Sequence, residues 1–270
     1  MKIILITGAG SGIGYETAVF LSALGHKVYG GVRNQRSAEK LTQSGIIPIE
    51  LDITDERQCT QAVKLILEND QRIDVLVNNA GYGLFGAVED IEISEAKHQF
   101  DVNLFGAARL TQLALPSMRE HKSGKIINIS SVGGRTVSYM GAWYHASKYA
   151  VEAFSDALRM EVSDFGIDVV LIEPGGTKTN WWETATENMK RRSKGGAYEK
   201  ATEQATAGMI KLYRNRLMSK PAVIAKVIIK AVDAKKPRAR YITGFGGKRL
   251  LFLHFILPAK CYDWLVKHAV

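Results

Sequence analysis

The sequence predicts an α/β fold: one doubly wound parallel sheet of about seven strands, with helices on both faces. Three observations predict it. Short, β-branched apolar runs recur at 2–7, 27–32, 46–50, 73–77, 124–130, 167–172 and 239–243. They are mainly apolar rather than alternating, as expected of strands buried on both sides. Between them, at 12–24, 55–69, 94–121, 142–165 and 221–233, apolar residues recur at helical spacing. Strand–helix repetition of this kind requires right-handed crossovers above and below a parallel sheet.

A chain of 270 residues, 46% of them hydrophobic, can bury one large core. Its six prolines form no linker-like tract, so a single domain over 1–270 is expected. Two segments stand apart from the repeat: 178–220, long, charged and poor in strand signals, and an apolar extension at 245–270. The net charge is +9, with basic residues scattered apart from modest clusters at 190–194, 211–220 and 235–240. That is the pattern of a solvated surface attractive to small anions, and no nucleic-acid partner is expected. Cys59 and Cys261 lie two hundred residues apart and form no CxxC, which reads as two reduced thiols in a cytoplasmic protein, without a metal site. Met1 and Lys2 lead directly into the first apolar run, so no signal peptide is expected. The longest apolar run, 250–257, is broken by His254 and ended by Pro258. It falls far short of the roughly 20 residues of a membrane span.

The first strand runs into Thr7-Gly8-Ala9-Gly10-Ser11-Gly12-Ile13-Gly14, and a helical pattern follows. Glycines here permit a tight turn and a close approach of backbone to a pyrophosphate, while the helix N-terminus offers free N–H groups and partial positive charge. Gly8, Ser11, Gly12, Ile13 and Gly14 are therefore candidate dinucleotide contacts, in the manner of a Rossmann-type fold. An NAD site carries an acidic residue about twenty positions further on. No Asp or Glu occurs between Glu16 and Glu39, and the second strand ends in Arg33, with Arg36 beyond. Without the carboxylate a 2′-phosphate is not repelled, and an arginine can bind it through paired charge-assisted hydrogen bonds. NADP(H) is the expected cofactor.

Tyr144 and Lys148 sit in Tyr-His-Ala-Ser-Lys at the start of a helical stretch. The i,i+4 spacing stacks their side chains on one face. A nearby ammonium favours the phenolate and brings a tyrosine, normally near pKa 10, towards a range where it both gives and takes a proton. Ser131 closes the fifth strand thirteen residues earlier, where its hydroxyl can hold a carbonyl oxygen. Ser130 is the rival position and Ser138 a weaker one.

The spacing Gly-x-x-x-Gly-x-Gly after Thr7, with Tyr-x-x-x-Lys and the preceding serine, resembles the short-chain dehydrogenase/reductase family. Further motifs recur in order over roughly residues 1–180. The resemblance implies that Asn78-Asn79-Ala80-Gly81 steadies the sheet, with Asn79 and Ala80 on the cofactor. It implies that Asp52 and Ile53 meet the adenine, and that Asn103 holds a water linking Lys148 to solvent. Pro174 and Gly175, with Thr177 and Thr179, look like the loop that fixes the nicotinamide carboxamide. Asn103, Ser131, Tyr144 and Lys148 would form the catalytic set, with Tyr144 and Lys148 also touching the cofactor. The alternative is a non-catalytic NADP(H)-binding regulator.

The segment 178–220 occupies the place of the family's substrate loop, and Trp181, Trp182, Met189, Tyr198, Met209, Leu212 and Tyr213 are its candidate apolar lining. The layout is most similar to the family's hydroxysteroid- and retinol-dehydrogenase-like members, which implies a bulky hydrophobic alcohol or ketone. The family's habit of association implies a homodimer or homotetramer. The apolar run 249–257 is expected to be covered by protein, its own body or a second subunit. Membrane contact, helped by Lys248, Arg249, Lys260 and Lys267, is the alternative.

Overall fold

Each predicted strand forms, and all seven join one parallel sheet in the order β3-β2-β1-β4-β5-β6-β7. The strands are β1 (Ile3–Ile6), β2 (Lys27–Val32), β3 (Ile47–Glu50), β4 (Val75–Asn78), β5 (Gly124–Ile129), β6 (Ile167–Pro174) and β7 (Arg240–Thr243). The computed structural model describes residues 1–179, 181–214 and 216–268, and of 181–184 the backbone only. β1 pairs with β2 on one side (Ile3 with Lys27) and with β4 on the other (Ile4 with Val75). The strand order reverses there, and the carboxyl ends of open parallel sheets bind ligands at such a point.

Alternate strand residues feed two cores. Ile3, Leu5, Tyr29, Leu76 and Ile126 pack with Ile66, Leu110 and Leu158 on one face. Ile4, Ile6, Val28, Val75 and Ile127 pack with Leu21, Ile224 and Ile228 on the other. The helices on the first face are α3 (Glu56–Asp70), α5 (Gly106–Glu120) and α6 (Ala142–Val162). On the second they are α1 (Gly12–Ala23), α2 (Gln35–Gln43) and α9 (Pro221–Asp233).

The sequence expectation of one helix over 94–121 is only partly met. α4 (Ile93–Phe100) and α5 are joined by a five-residue π-type segment, Asp101–Phe105, which carries Asn103. The segment 178–220 contains two helices, α7 (Trp181–Ser193) and α8 (Glu199–Tyr213). Thr202, Ala205, Thr206 and Met209 form the buried stripe of α8 at helical spacing. The extension also folds into two helices, α10 (Gly247–Ile256) and α11 (Ala259–His268). Among the described residues no helix is long and apolar enough to cross a membrane.

A buried charge network ties α6 to the sheet edge. Arg240, at the start of β7, lies 3.1 Å from Glu152 of α6 and 3.1 Å from Glu173 of β6, and also pairs with Asp156. Arg135 reaches Glu173 at 3.3 Å. Burial pushes the carboxyls of Glu152 and Glu173 above their ordinary range. Arg240→Met should therefore cost about 3 kcal/mol, since removing one partner leaves carboxylates buried without compensation. Denaturant midpoints of the cofactor-free protein measure it, and a loss below about 1 kcal/mol, the scale of an exposed pair, would show that Arg135 alone suffices.

Candidate active site

The glycine loop leaves β1 through Gly8 (φ +64°) and enters α1 through Gly12 (φ +56°), both in the left-handed region that favours glycine. Ser11, the N-cap of α1, makes no side-chain cap hydrogen bond, and the first-turn amides have no intrahelical partner to compete with an anion. Thr7 joins this loop to the end of β4: its Oγ1 accepts from the amides of Asn79 (3.0 Å) and Ala80 (2.9 Å). Asn79 in turn donates to the carbonyls of Thr7 (2.9 Å) and Gly8 (3.2 Å). Asn78 is buried and bonds Asn128 at 2.8 Å, holding β4 to β5.

Arg33 is exposed just past β2. Beside it, the Asp52 carboxylate accepts from the Thr54 amide (2.9 Å) and hydroxyl (2.7 Å). Burial opposes ionisation there, but these bonds and the nearby Arg33 hold Asp52 below its usual value. Ile53 is buried, and its carbonyl accepts from Arg109 at 3.2 Å. Ser37 lies over the loop, its Oγ only 2.7 Å from where a Cβ on Gly10 would sit. Sequence reading missed Ser37 because α2 was not foreseen; Asn34, which caps α2 through the Ser37 amide, was the available signal. On the far side Pro174 ends β6 and Gly175 follows. Thr177 is buried and bonds the Gly175 carbonyl at 3.0 Å, and Thr179 comes beside Gly12. The strand ends thus form a continuous cradle around the glycine loop. Its open helix terminus and its exposed arginine past β2 fit a dinucleotide with a further phosphate.

At the centre, the Tyr144 hydroxyl is hydrogen-bonded to Ser131, which also accepts from the Gly133 amide at 3.0 Å. The rivals are placed otherwise. Ser130 is buried beside Gly134, and Ser138 bonds Nε2 of His145 at 2.8 Å. Lys148 is buried and donates to the Ile129 carbonyl at 2.8 Å. Asn103 is fixed by the backbone of Tyr82, accepting from its amide (3.0 Å) and donating to its carbonyl (3.0 Å), and it donates to Ser147 at 2.9 Å. Gly81 abuts both Asn103 and Lys148; a Cβ there would lie 3.1 Å and 3.6 Å from their polar atoms.

The electrostatics differ from expectation in one respect. Burial pushes the Tyr144 phenol up, opposed by the Ser131 hydrogen bond. The Lys148 ammonium reaches the end of β5, at the Ile129 carbonyl. Burial lowers Lys148 to about 8, with Glu152 opposing.

His145 escaped the sequence reading. Its Nδ1 donates to the Gly133 carbonyl at 2.8 Å, so Nε2 is free to accept from the Ser138 amide at 2.9 Å. Burial keeps the imidazole neutral by lowering its pKa. The ring thereby ties the loop after Ser131 to the start of α6.

The apolar wall was also half seen. Met189, Met209 and Tyr198 join Phe85, Ala87, Met140, Ala185 and Tyr144 in one cluster, with the Phe85 and Tyr144 rings 5.3 Å apart. Leu212 does not join it: it is 44% exposed, because it falls outside the buried stripe of α8. Tyr213 is half-buried outside the cluster. The side chains of Trp181 and Trp182 lie outside the described residues. A cleft of about 830 Å³ adjoins the wall, lined by Ala87, Val137, Tyr139, Met140, His145 and Tyr198 among others. No cluster of metal-ligating side chains occurs among the described residues.

Residues 2–190 match the short chain dehydrogenase family, and the chain belongs to it. It is 38% identical over 266 residues to a probable short-chain type dehydrogenase/reductase of Helicobacter pylori, VdlC, covering 98% of this chain and 97% of that one. It is 44% identical over 181 residues to the 3-ketodihydrosphingosine reductase of Bacteroides thetaiotaomicron, covering 67% and 65%. Among solved structures, a short-chain dehydrogenase from Streptomyces avermitilis superposes with a TM-score of 0.81 at 34% identity, covering 94% and 92%. Actinorhodin polyketide ketoreductase with NADPH gives 0.75 at 28% identity, covering 91% and 96%.

Proposed function

We propose that this chain, an NADP(H)-dependent oxidoreductase of the short-chain dehydrogenase family, reduces the carbonyl of a hydrophobic, lipid-like substrate. The observation that carries this is the Tyr144–Ser131 hydrogen bond beside buried Lys148, bordered by an apolar wall of Phe85, Met140, Met189 and Met209. Ser131 holds the carbonyl oxygen, and Tyr144 gives it a proton. A phenol raised by burial stays protonated through the neutral range, the state a proton donor needs. Asn103 holds a water that links Lys148 to solvent. NADPH supplies the hydride when bound.

For the cofactor, Gly8, Ser11, Gly12, Ile13 and Gly14 would hold the pyrophosphate, and Asp52 with Ile53 the adenine. Asn79, Ala80, Pro174, Gly175, Thr177 and Thr179, with Tyr144 and Lys148, would hold the nicotinamide half. Arg33, seconded by Ser37, would take the 2′-phosphate. The whole chain then works as one domain, with 178–220 closing over the substrate. The long-chain ketone named for the Bacteroides relative fits the apolar wall as well as a steroid or retinoid does, and all three belong to this reading. A homodimer or homotetramer belongs to it too; exposed Ile93 and Phe105, flanking a groove that Trp143 also lines, offer apolar surface for one.

Oxidation of NADPH against long-chain 3-keto lipids, steroids, retinal, short aliphatic aldehydes, quinones and acyl thioesters tests the substrate class. Turnover confined to the short polar carbonyls would overturn the hydrophobic reading. No turnover with any, despite tight NADPH binding, would favour the regulator. Arg33→Ala should weaken NADPH by about 10- to 100-fold, the scale of lost charge-assisted hydrogen bonds, and leave NADH nearly unchanged. Paired titrations of both cofactors check it; equal loss for the two would place Arg33 elsewhere than on the 2′-phosphate.

A further inference from the structure

The C-terminal helices leave several of their large apolar residues uncovered. On α10, Phe252, Phe255 and Ile256 follow at helical spacing and are 62%, 86% and 51% exposed, and Trp264 of α11 is 64% exposed. The pair nonetheless packs on the body of the chain. Its helices meet where His254 packs edge-on against Tyr262, ring centroids 4.8 Å apart. Tyr262 is buried and donates to the Val137 carbonyl at 3.3 Å, and Lys267 lies over the Tyr139 ring. The apolar face therefore stands on a docked element next to the cleft wall formed by Val137 and Tyr139.

Its charges select among possible covers. Lys248 and Arg249 precede Phe252 by one helical turn on α10, and Lys260 and Lys267 flank Trp264 by one turn on α11. Against these four permanent cations the two helices hold a single carboxylate, Asp263. Among the described residues none of the four cations forms an ion pair. A twofold interface would set this face against itself, cation against cation, because the same patch is contributed by both copies. Three aromatics of about 150–250 Å² each, only partly exposed, together with one isoleucine, also fall short of the ~800 Å² per partner of a stable interface. Phosphate headgroups above an acyl layer meet both demands: anions for the cations, hydrocarbon for the rings.

We propose that α10 and α11 form an interfacial docking element for membranes bearing anionic phospholipid, with Phe252, Phe255, Ile256 and Trp264 entering the headgroup–acyl boundary. Lys248, Arg249, Lys260 and Lys267 meet the phosphates. Docking in this way sets the cleft beside the lipid surface, and the claim holds whichever carbonyl is reduced.

Flotation of the full-length protein with vesicles of phosphatidylglycerol and phosphatidylcholine, and with phosphatidylcholine alone, tests the proposal. Wild type should float with the anionic vesicles, much less with the neutral ones, and be released by salt. Phe252→Ser/Phe255→Ser and Lys248→Glu/Arg249→Glu should each lower the bound fraction by about tenfold or more. Both pairs are exposed, so NADPH binding and molar mass by light scattering should match wild type and report an intact fold. Failure of wild type to float, or variants that float unchanged, would overturn the proposal. A halved mass in the phenylalanine variant, without vesicle binding by wild type, would assign the face to a second copy instead. NADPH oxidation on soluble substrates, read in parallel, stands or falls separately.

Discussion

Tyr144→Phe should lower carbonyl reduction by about two to four orders of magnitude while leaving NADPH affinity within about twofold of wild type. The substitution keeps the ring that packs against Phe85 at 5.3 Å and removes only the hydroxyl bonded to Ser131. Fold and wall should therefore survive, and the loss should appear in kcat rather than in binding. Ser131→Ala, which leaves the phenol in place without its partner, should cost less, about the 10²-fold of one lost oxyanion donor. Steady-state NADPH oxidation gives turnover, and quenching of protein fluorescence gives cofactor affinity. A Tyr144→Phe enzyme retaining more than about a tenth of wild-type turnover would rule the phenol out as the acid, because general acid catalysis alone contributes at least 10²-fold.

The frame of this site was legible in the sequence because its determinants are local. Strands such as Ile3–Ile6 and Val75–Asn78 are buried on both faces, so they stand out as unbroken apolar runs, and each turn that leaves them carries its own chemistry. The glycine loop, Arg33, Asp52, Asn79, Ser131 and Pro174 could be placed at the sheet's carboxyl edge for that reason. What escaped depends on contacts distant in sequence. Glu173 and Arg240 are 67 positions apart and become partners only once β6 and β7 pair in register. The π-type segment at Asp101–Phe105 interrupts a pattern that reads as one helix, and its purpose appears only when Asn103 meets Tyr82. His145 was passed over although it stands next to Tyr144, since a buried neutral imidazole is identified by its acceptors at Gly133 and its donors at Ser138, not by its neighbours in the chain. In α8 the stripe of Thr202, Ala205, Thr206 and Met209 was masked by its two threonines, which a hydrophobic count passes over.

Lys148→Met should lower turnover by about two orders of magnitude or more, yet stabilise the cofactor-free protein at neutral pH. The ammonium has three donors; one goes to the Ile129 carbonyl, and under the proposed function the other two would serve the cofactor and the proton path. Burial holds this group near 8, well below the ordinary 10.5 of lysine. A lowered lysine means that the unfolded chain binds the proton more readily than the fold does. The resulting penalty is complete below pH 8 and shrinks as pH rises from 8 towards 10.5. Its size at pH 7 is on the order of 3 kcal/mol by the shift, reduced to about 2 by the lost hydrogen bond to Ile129. The variant should then melt roughly 4–8 °C above wild type at pH 7, with the gap narrowing by pH 9. Thermal unfolding without NADPH at both pH values measures it. A variant that melts lower at pH 7, with no change in the gap at pH 9, would mean that the buried ammonium stabilises the fold instead. The expected pairing of lost turnover with gained stability is the signature of a charge kept in the core for its chemistry.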